Sequence, residues 1–381
     1  MHLSKPIPFI DLRPQVALVR EALGDTWDRI LRDATFFGGP ARGEFESALG
    51  KRLDANHVLA CSNGTDALRL ALQAAGVMPG DLVALPNVTF WATYEAIVEL
   101  GAIPVLVDID PDDLQMSFEA FWEAHKKHAF RFAVLVHLFG WCSGRTFEFR
   151  STCNANGITL VEDAAQAFGV EIYGESVFKG AEWATLSFYP AKVLGGATDG
   201  GAVLTSREEH REKVALLAHH GRTGHYAHAA VGWNARMNNL QATYLTAALQ
   251  VIDPVLARRR ALADRYREKL RDVSGLRLSA PSPGIAENGY LSVTRIFGRP
   301  HAAEECAASL ETAAISTART YPISLDAQAG ASTALNGGTL RESRAFVESV
   351  LNLPLYYGLT DEQQDYVCEQ VLGLFQPQVP V

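Results

Sequence analysis

Lys192 stands five residues after Ser187 in SFYPAK, just before a loop that carries Gly195, Gly196, Gly200 and Gly201. A lysine whose neighbours depress its pKa can attack a carbonyl and form a Schiff base. Glycines let the backbone pass close to a bulky ligand. Upstream, Asp163 ends the nearly wholly apolar run ITLVED. A carboxylate there is costly unless it pairs with a cation, and a protonated ring nitrogen is one such cation. Its neighbour Glu162 points to the opposite face by strand alternation. In CSNGTDALRLAL, Asn63-Gly64 reads as a turn and Gly64-Thr65-Asp66 as the start of a helix. The free N–H groups and dipole of that helix end, with the Thr65 hydroxyl, suit a phosphate. In PNVTFWATYEAI, Phe90 and Trp91 follow a strand end, where a ring can stack on a flat ligand.

Each feature also has a plain structural explanation. A lysine beside glycines can lie on the surface, Asp163 can cap the following AAQAFG segment, Thr65 or Asp66 can be an N-cap, and Phe90 can pack in the core. Taken together, the four features specify pyridoxal phosphate. That cofactor needs a lysine for its aldehyde, a carboxylate for its pyridine nitrogen, an aromatic ring to stack on and a cup for its phosphate.

These residues have to be held by the elements that precede them. Over the first two-thirds of the chain, short β-branched runs alternate with helical patterns: HVLACSN, DLVALPNV, IPVLVDID, RFAVLVHLFG, ITLVEDAA, WATLSFY and GGAVLTS. Such alternation predicts an α/β domain with a mostly parallel sheet, the last pair lacking a long helix between them and therefore antiparallel. Ligands of such sheets bind beyond the carboxyl ends of the strands, where all four features fall. After LQATYLTAALQVIDPV the character changes. A long helix over roughly 252–272 leads to the strand YLSVTRIFG, the helix AAEECAASLETAA and a glycine-rich loop around ASTALNGGTL. The expected organisation is a large cofactor-binding α/β domain, residues 1–250, and a smaller α+β domain, residues 251–381.

The chain has 381 residues, 48% hydrophobic and 20% charged, with a formal net charge of −9. That suffices for a sizeable core and argues against nucleic-acid binding. The densest basic stretch, ARRRALADRYREKLRD, reads as the solvated face of a helix. Five scattered cysteines without a CxxC pair suggest neither a zinc site nor a disulfide framework. The N-terminal MHLSKPIPFIDLRPQ lacks the apolar run of a leader, and FAVLVHLFGW is too short to span a bilayer. A soluble protein of the cytoplasm is expected, with no metal.

At these motifs the sequence resembles the DegT/DnrJ/EryC1/StrS family of sugar aminotransferases, within the aspartate-aminotransferase fold (fold type I). The resemblance runs through IPFIDLRPQ, GGPARGEFESALGKRL, CSNGTDALRLAL, PNVTFWATYEAI, PVLVDIDPDDLQ, VEDAAQAFG, SFYPAKVLGGATDGGAVLT, HHGRTGHYAHAAVGWNARMNNLQA and LPLYYGLTDEQ, almost the whole chain. It implies that Lys192 forms the Schiff base and moves the proton, that Asp163 pairs with the pyridinium nitrogen and that Gln166 lies by the phenolic oxygen. It further implies that Phe90 stacks on the ring and that Gly64, Thr65 and Ser187 bind the phosphate. Asn234, in GWNARM, resembles an asparagine that reaches the phosphate from the partner subunit, so the active site would belong to a homodimer. Arg236 is a candidate for an anionic part of the substrate, with an ordinary surface arginine as its alternative. The implied reaction has two halves: L-glutamate leaves its amino group as pyridoxamine phosphate, and a nucleotide-linked keto-sugar carries it away.

Two segments depart from the family pattern. YPISLDAQAG has Asp326 where relatives often have histidine, and LPLYYGL has Tyr356 and Tyr357 where they have His-Pro. Both segments lie near the sugar in relatives, so Tyr321 and Asp326 are candidate substrate contacts. The loop GATDGGAV resembles the form associated with 3-amino sugars, although Thr198 replaces a glycine. The expectation is therefore a 3-keto acceptor, with a 4-keto-sugar or a keto-cyclitol as alternatives. Lys192 argues against the sugar dehydratases of the family, which carry histidine there. A non-catalytic regulator is the remote alternative.

Overall fold

The structure, a computed structural model, describes residues 6–298 and 301–375. Residues 1–5, part of the stretch searched for a leader, lie outside them. The strands are β1 (His57–Cys61), β2 (Leu82–Pro86), β3 (Ile103–Val107), β4 (Phe132–Val136), β5 (Thr159–Asp163), β6 (Glu171–Ile172) and β7 (Glu175–Ser176), followed by β8 (Trp183–Ser187), β9 (Gly201–Thr205), β10 (Leu276–Leu278), β11 (Ile285–Ala286), β12 (Ser292–Ile296), β13 (Leu335–Asn336) and β14 (Val350–Leu353). Among the described residues they form an eight-stranded sheet in the order β1-β9-β8-β5-β4-β2-β3-β13, and two three-stranded sheets, β10-β12-β14 and β11-β6-β7.

The large sheet is mostly parallel, as expected. The neighbours from β8 through β5, β4, β2 and β3 to β13 pair in parallel. β9 runs antiparallel to both β8 and β1. β1 and β8 therefore share one direction, and the carboxyl ends of β1, β2, β4, β5 and β8 lie along a single edge. Side-chain alternation buries both faces of the sheet. Leu59, Val83, Val134 and Val161 join one core cluster. Val58 and Ala60 pack in a second, and Ala84, Ala133 and Leu160 in a third.

Local signals set the helices. Asn63, Ser117 and Asn238 each accept an N–H from the first turn of the following helix. Gly76, at φ 100°, ends the helix Gly64–Ala75 in a left-handed turn that suits glycine.

The C-terminal part packs helices Ile252–Lys269, Ala302–Thr312 and Asp361–Phe375 with the antiparallel β10-β12-β14 sheet around its own apolar cluster. We propose the domain division at residues 250 and 251, between helices Asn239–Gln250 and Ile252–Lys269. Three pieces cross it: Ile7 joins the C-terminal cluster, β11 pairs with β6, and β13, inside the glycine-rich segment expected to be a loop, extends the large sheet beside β3.

The basic run of the long helix corrects the sequence reading. Arg259 is 1% exposed rather than solvated. The helix buries Ile252, Val255, Leu256, Arg259, Leu262, Ala263 and Tyr266, a stripe of helical period into which Arg259 falls. Its Nη1 donates to the carbonyls of Gly289 (3.1 Å) and Leu355 (3.3 Å), and burial lowers its pKa to about 10. Arg258 and Arg260 are half-buried and donate to the carbonyls of Leu359 and Glu287, each at 2.6 Å. Arg259→Ala leaves a cavity and two carbonyls without their donor, and is expected to lower stability by about 3 kcal/mol. A urea denaturation midpoint equal to that of the unmodified chain would refute this.

Candidate active site

Along the shared strand edge lies a cavity of about 810 Å³. Its floor comes from the large sheet: Asn63, Gly64 and Thr65 after β1, Thr89 to Ala92 after β2, His137 after β4, Asp163 at the end of β5, and Ser187 and Lys192 from β8 and its loop. Its roof comes from the C-terminal part, with Tyr290, Tyr321, Pro322, Ile323 and Gln328.

At the first turn of the helix Gly64–Ala75, the Asn63 side chain accepts the Asp66 N–H (2.7 Å). Asn63, not Thr65 or Asp66, is thus the cap, and it satisfies one of the N–H groups that a helix start leaves without intrahelical partners. Gly64 backs onto Ser187: a Cβ at position 64 would stand 2.7 Å from the Ser187 Cβ. Glycine is needed there for the two segments to form one cradle. The glycines of the following loop serve a different end from the one expected. Gly195, Gly196 and Gly201 press against Pro190, Gln241 and Asn63 of the chain itself.

Asp163 is 4% exposed. Its Oδ2 accepts the Thr93 hydroxyl (2.7 Å) and its Oδ1 the Ala165 N–H (3.2 Å). Burial raises its pKa; these two donors and the nearby positive charge of Lys192 oppose that rise without cancelling it. No helix follows Asp163, so it caps none. Glu162 faces the other side, as expected, between His137 Nε2 (2.9 Å) and Arg150 Nε (2.7 Å). Burial pushes the Glu162 carboxyl up, but Arg150 and His137 outweigh it and hold the pKa at about 2.

The Lys192 Nζ lies 5.0 Å from the centroid of the Tyr290 ring. Phe90, 62% exposed, lines the cavity just before the helix Trp91–Val98. Gln166 accepts the Phe139 N–H (2.6 Å) and donates from Nε2 to the Tyr321 hydroxyl (2.5 Å). Tyr321 holds a left-handed backbone, φ 63°, and burial pushes its phenol pKa up.

The cavity thus gathers Lys192, Asp163, Gln166, Phe90, Gly64, Thr65, Ser187 and Tyr321. Asp326 is not among its lining residues. Its carboxylate accepts from Asn87 Nδ2 (2.7 Å), Ser324 Oγ (2.6 Å) and Arg344 Nη2 (2.8 Å). Asn234 is exposed and is not among the residues that line its own chain's cavity; it forms an antiparallel bridge with His219. Arg236 reaches back to the Asn234 Oδ1 (3.5 Å) and lies 5.2 Å from the Phe37 ring. Sequence reasoning reached Thr89 as a strand-end residue but missed Tyr290 and the pairing of Thr89 with Thr93. Two threonines four apart at a strand-to-helix junction are the signal that marks the pair. Among the described residues no helix is long and apolar enough to cross a membrane.

The donor set fits pyridoxal phosphate. The Gly64 and Ser187 cradle has the room a phosphate needs only while position 64 lacks a Cβ, a buried carboxylate stands ready for a ring nitrogen, and an amine lines the same cavity.

Comparison with known proteins agrees with this geometry. The model of the DegT/DnrJ/EryC1/StrS aminotransferase family matches residues 19–372. The chain is 32% identical over 370 residues to a pleiotropic regulatory protein of Geobacillus stearothermophilus, covering 97% of this chain and 98% of that protein. It is 34% identical over 323 residues to the UDP-2-acetamido-2-deoxy-3-oxo-D-glucuronate aminotransferase of Pseudomonas aeruginosa, covering 84% and 88%. Its fold matches the crystal structure of ntda from Bacillus subtilis with bound cofactor PMP at a TM-score of 0.88, with 28% identity over 98% of this chain and 86% of that one.

The buried Glu162 gives a test that needs no ligand. Its folded pKa of about 2 lies below the ordinary 4.5, so its stabilising contribution is complete above pH 4.5 and is lost as pH falls toward 2. Glu162→Gln is expected to be less stable at neutral pH by about 3 kcal/mol. It is also expected to lose stability less steeply between those two pH values. Circular dichroism during acid titration checks this, and parallel curves for the two proteins would contradict it.

Proposed function

The chain belongs to the DegT/DnrJ/EryC1/StrS aminotransferase family, and from that premise we propose that it is a pyridoxal-phosphate enzyme that aminates a nucleotide-linked 3-keto-sugar with L-glutamate as donor. The observation that carries the reading is the meeting of Lys192, Asp163 and the Gly64–Ala75 helix start in one cavity. When bound, pyridoxal phosphate supplies an aldehyde that accepts and passes on an amino group, and a ring that withdraws electrons.

The chain's own residues do the rest. The Gly64 and Thr65 N–H groups and the Ser187 hydroxyl bind the phosphate. Asp163 holds a proton on the ring nitrogen, Phe90 covers the ring, and Gln166 lies on its phenolic side. The Lys192 Nζ takes the proton released at the α-carbon of the amino donor and, in the second half-reaction, returns one to the sugar carbon. Pro322 and Ile323 lie in the roof above it.

Asp199, from the loop GATDGG, lines the cavity, and the Pseudomonas relative acts on a 3-oxo sugar; both favour the 3-keto acceptor. The exposed Asn234 supports a homodimer in which it reaches the phosphate held by the other subunit. Buried free thiols at Cys61, Cys142, Cys153 and Cys368 suit a reducing cytoplasm.

Supplied with pyridoxal phosphate, the purified chain is expected to gain a visible absorption band that L-glutamate bleaches. A chain that takes up no cofactor would overturn the reading; one that aminates a 4-keto-sugar or a keto-cyclitol instead would overturn only the choice of acceptor. Lys192→Ala should lower turnover by a factor of at least about 10² while keeping the circular dichroism of the fold; near-normal rates would refute its role. Asn234→Ala should weaken cofactor retention in the dimer, and unchanged affinity would remove the cross-subunit contact.

A further inference from the structure

Thr93 is fully buried on the helix Trp91–Val98, yet its hydroxyl leaves the helix and spans to Asp163 on β5 at 2.7 Å. A buried helical threonine more often bonds a carbonyl of its own preceding turn. The Thr93 hydroxyl has one proton, and an ionised carboxylate can only accept, so that proton is committed to Asp163 Oδ2. The Thr89 Oγ1 lies 2.9 Å from the Thr93 Oγ1. With the Thr93 proton already used, Thr89 must be the donor in that contact. The two hydroxyls therefore form a line of donors that ends on the carboxylate.

We propose that Thr93, backed by Thr89, is a positioning residue that keeps Asp163 an anion turned toward the cavity. The inference rests on the cofactor reading above. Two of the acceptor sites on Asp163, which lines the cavity, are taken by Thr93 and by the Ala165 N–H. The titratable groups around it are Lys192 from the β8 loop, His137 at the end of β4 and Tyr321 from the roof. Burial of Asp163 opposes its charged form, and the Thr93 hydroxyl is the largest of the effects that resist this. Without it the carboxyl binds a proton more readily and ceases to be a counter-ion for a protonated ring nitrogen.

The test uses the full chain loaded with pyridoxal phosphate and three variants: Thr93→Val, which keeps the shape, Thr93→Ser, which keeps the hydroxyl, and Thr89→Val. Cofactor affinity, the visible spectrum across neutral pH and the melting temperature of the cofactor-free protein are measured together. A hydrogen bond to a charged group is worth enough to expect about ten-fold weaker cofactor binding in Thr93→Val. The absorbance of the form with a protonated ring nitrogen should also be lost at lower pH in that variant. Thr93→Ser should restore both, and Thr89→Val should move both less, in the same direction. Unchanged affinity and spectrum in Thr93→Val, with or without a fall in melting temperature, would overturn the proposal, as would a Thr93→Ser variant that behaves like the valine. An unmodified chain that takes up no cofactor would overturn the cofactor reading and this inference with it, whereas uptake with indifferent variants would overturn this inference alone.

Discussion

On the proposed reading, the carboxylate of Asp163 has to remain an anion where burial favours its acid form. Two donors from the chain, the Thr93 hydroxyl and the Ala165 N–H, and the charge of Lys192 work against that burial. They come from three separate places: the helix after β2, the turn after β5 and the loop after β8. They can meet only because the strands that deliver them are parallel and end along one edge. The parallel sheet is thus a condition of the electrostatics. An antiparallel arrangement of the same strands would send alternate ends to opposite edges and leave the carboxylate without its donors.

The strand that carries Asp163 also carries Glu162, and the two show how one pleat supports opposite solutions. Glu162 is at least as buried, but Arg150 and His137 overcome its burial and bring it well below the ordinary carboxylate range. Its charge is spent on holding β4 to β5 and on the helix that bears Arg150. At Asp163 the opposing effects do not overcome burial, so its pKa stays above the ordinary value, and the residue lines the cavity. Residues one apart on a strand therefore divide the work: one closes the fold and the other lines the cavity.

Much of this was legible in the sequence because it rests on local patterns. Alternating β-branched runs told the sheet apart from its helices, and the residue at the end of each run told which side chains reach the edge. Lys192, Asp163, Gly64, Thr65, Ser187, Phe90 and Gln166 could be named on that basis together with the family resemblance. What could not be read depends on contacts between distant segments. Arg259 looks like any basic helical residue until the stripe on which it falls is known to face Gly289 and Leu355. The glycines after Lys192 read as room for a ligand, whereas their neighbours are Pro190, Gln241 and Asn63. Thr93 carries no charge and no motif, and its bond to Asp163 crosses seventy positions of sequence.

Asp326 shows the same limit in the segment that supplies part of the cavity roof. In the family pattern its place belongs to a residue near the sugar. Here its carboxylate is taken up by Asn87, Ser324 and Arg344, and its own N–H donates to Asn87 Oδ1 (3.0 Å). Leu325 donates to the Asn87 carbonyl (2.9 Å) beside it. These bonds tie the roof segment to the turn after β2, on the same short stretch that ends in Thr89 and Phe90. A carboxylate so engaged, with its pKa lowered by Ser324, Asn87 and Arg344 against the opposing effect of burial, contributes by fixing a loop. The segment anchored in this way brings Thr320, Tyr321, Ile323 and Gln328 to the cavity. Through Asn87, the position of that segment is coupled to the strand end that presents Phe90.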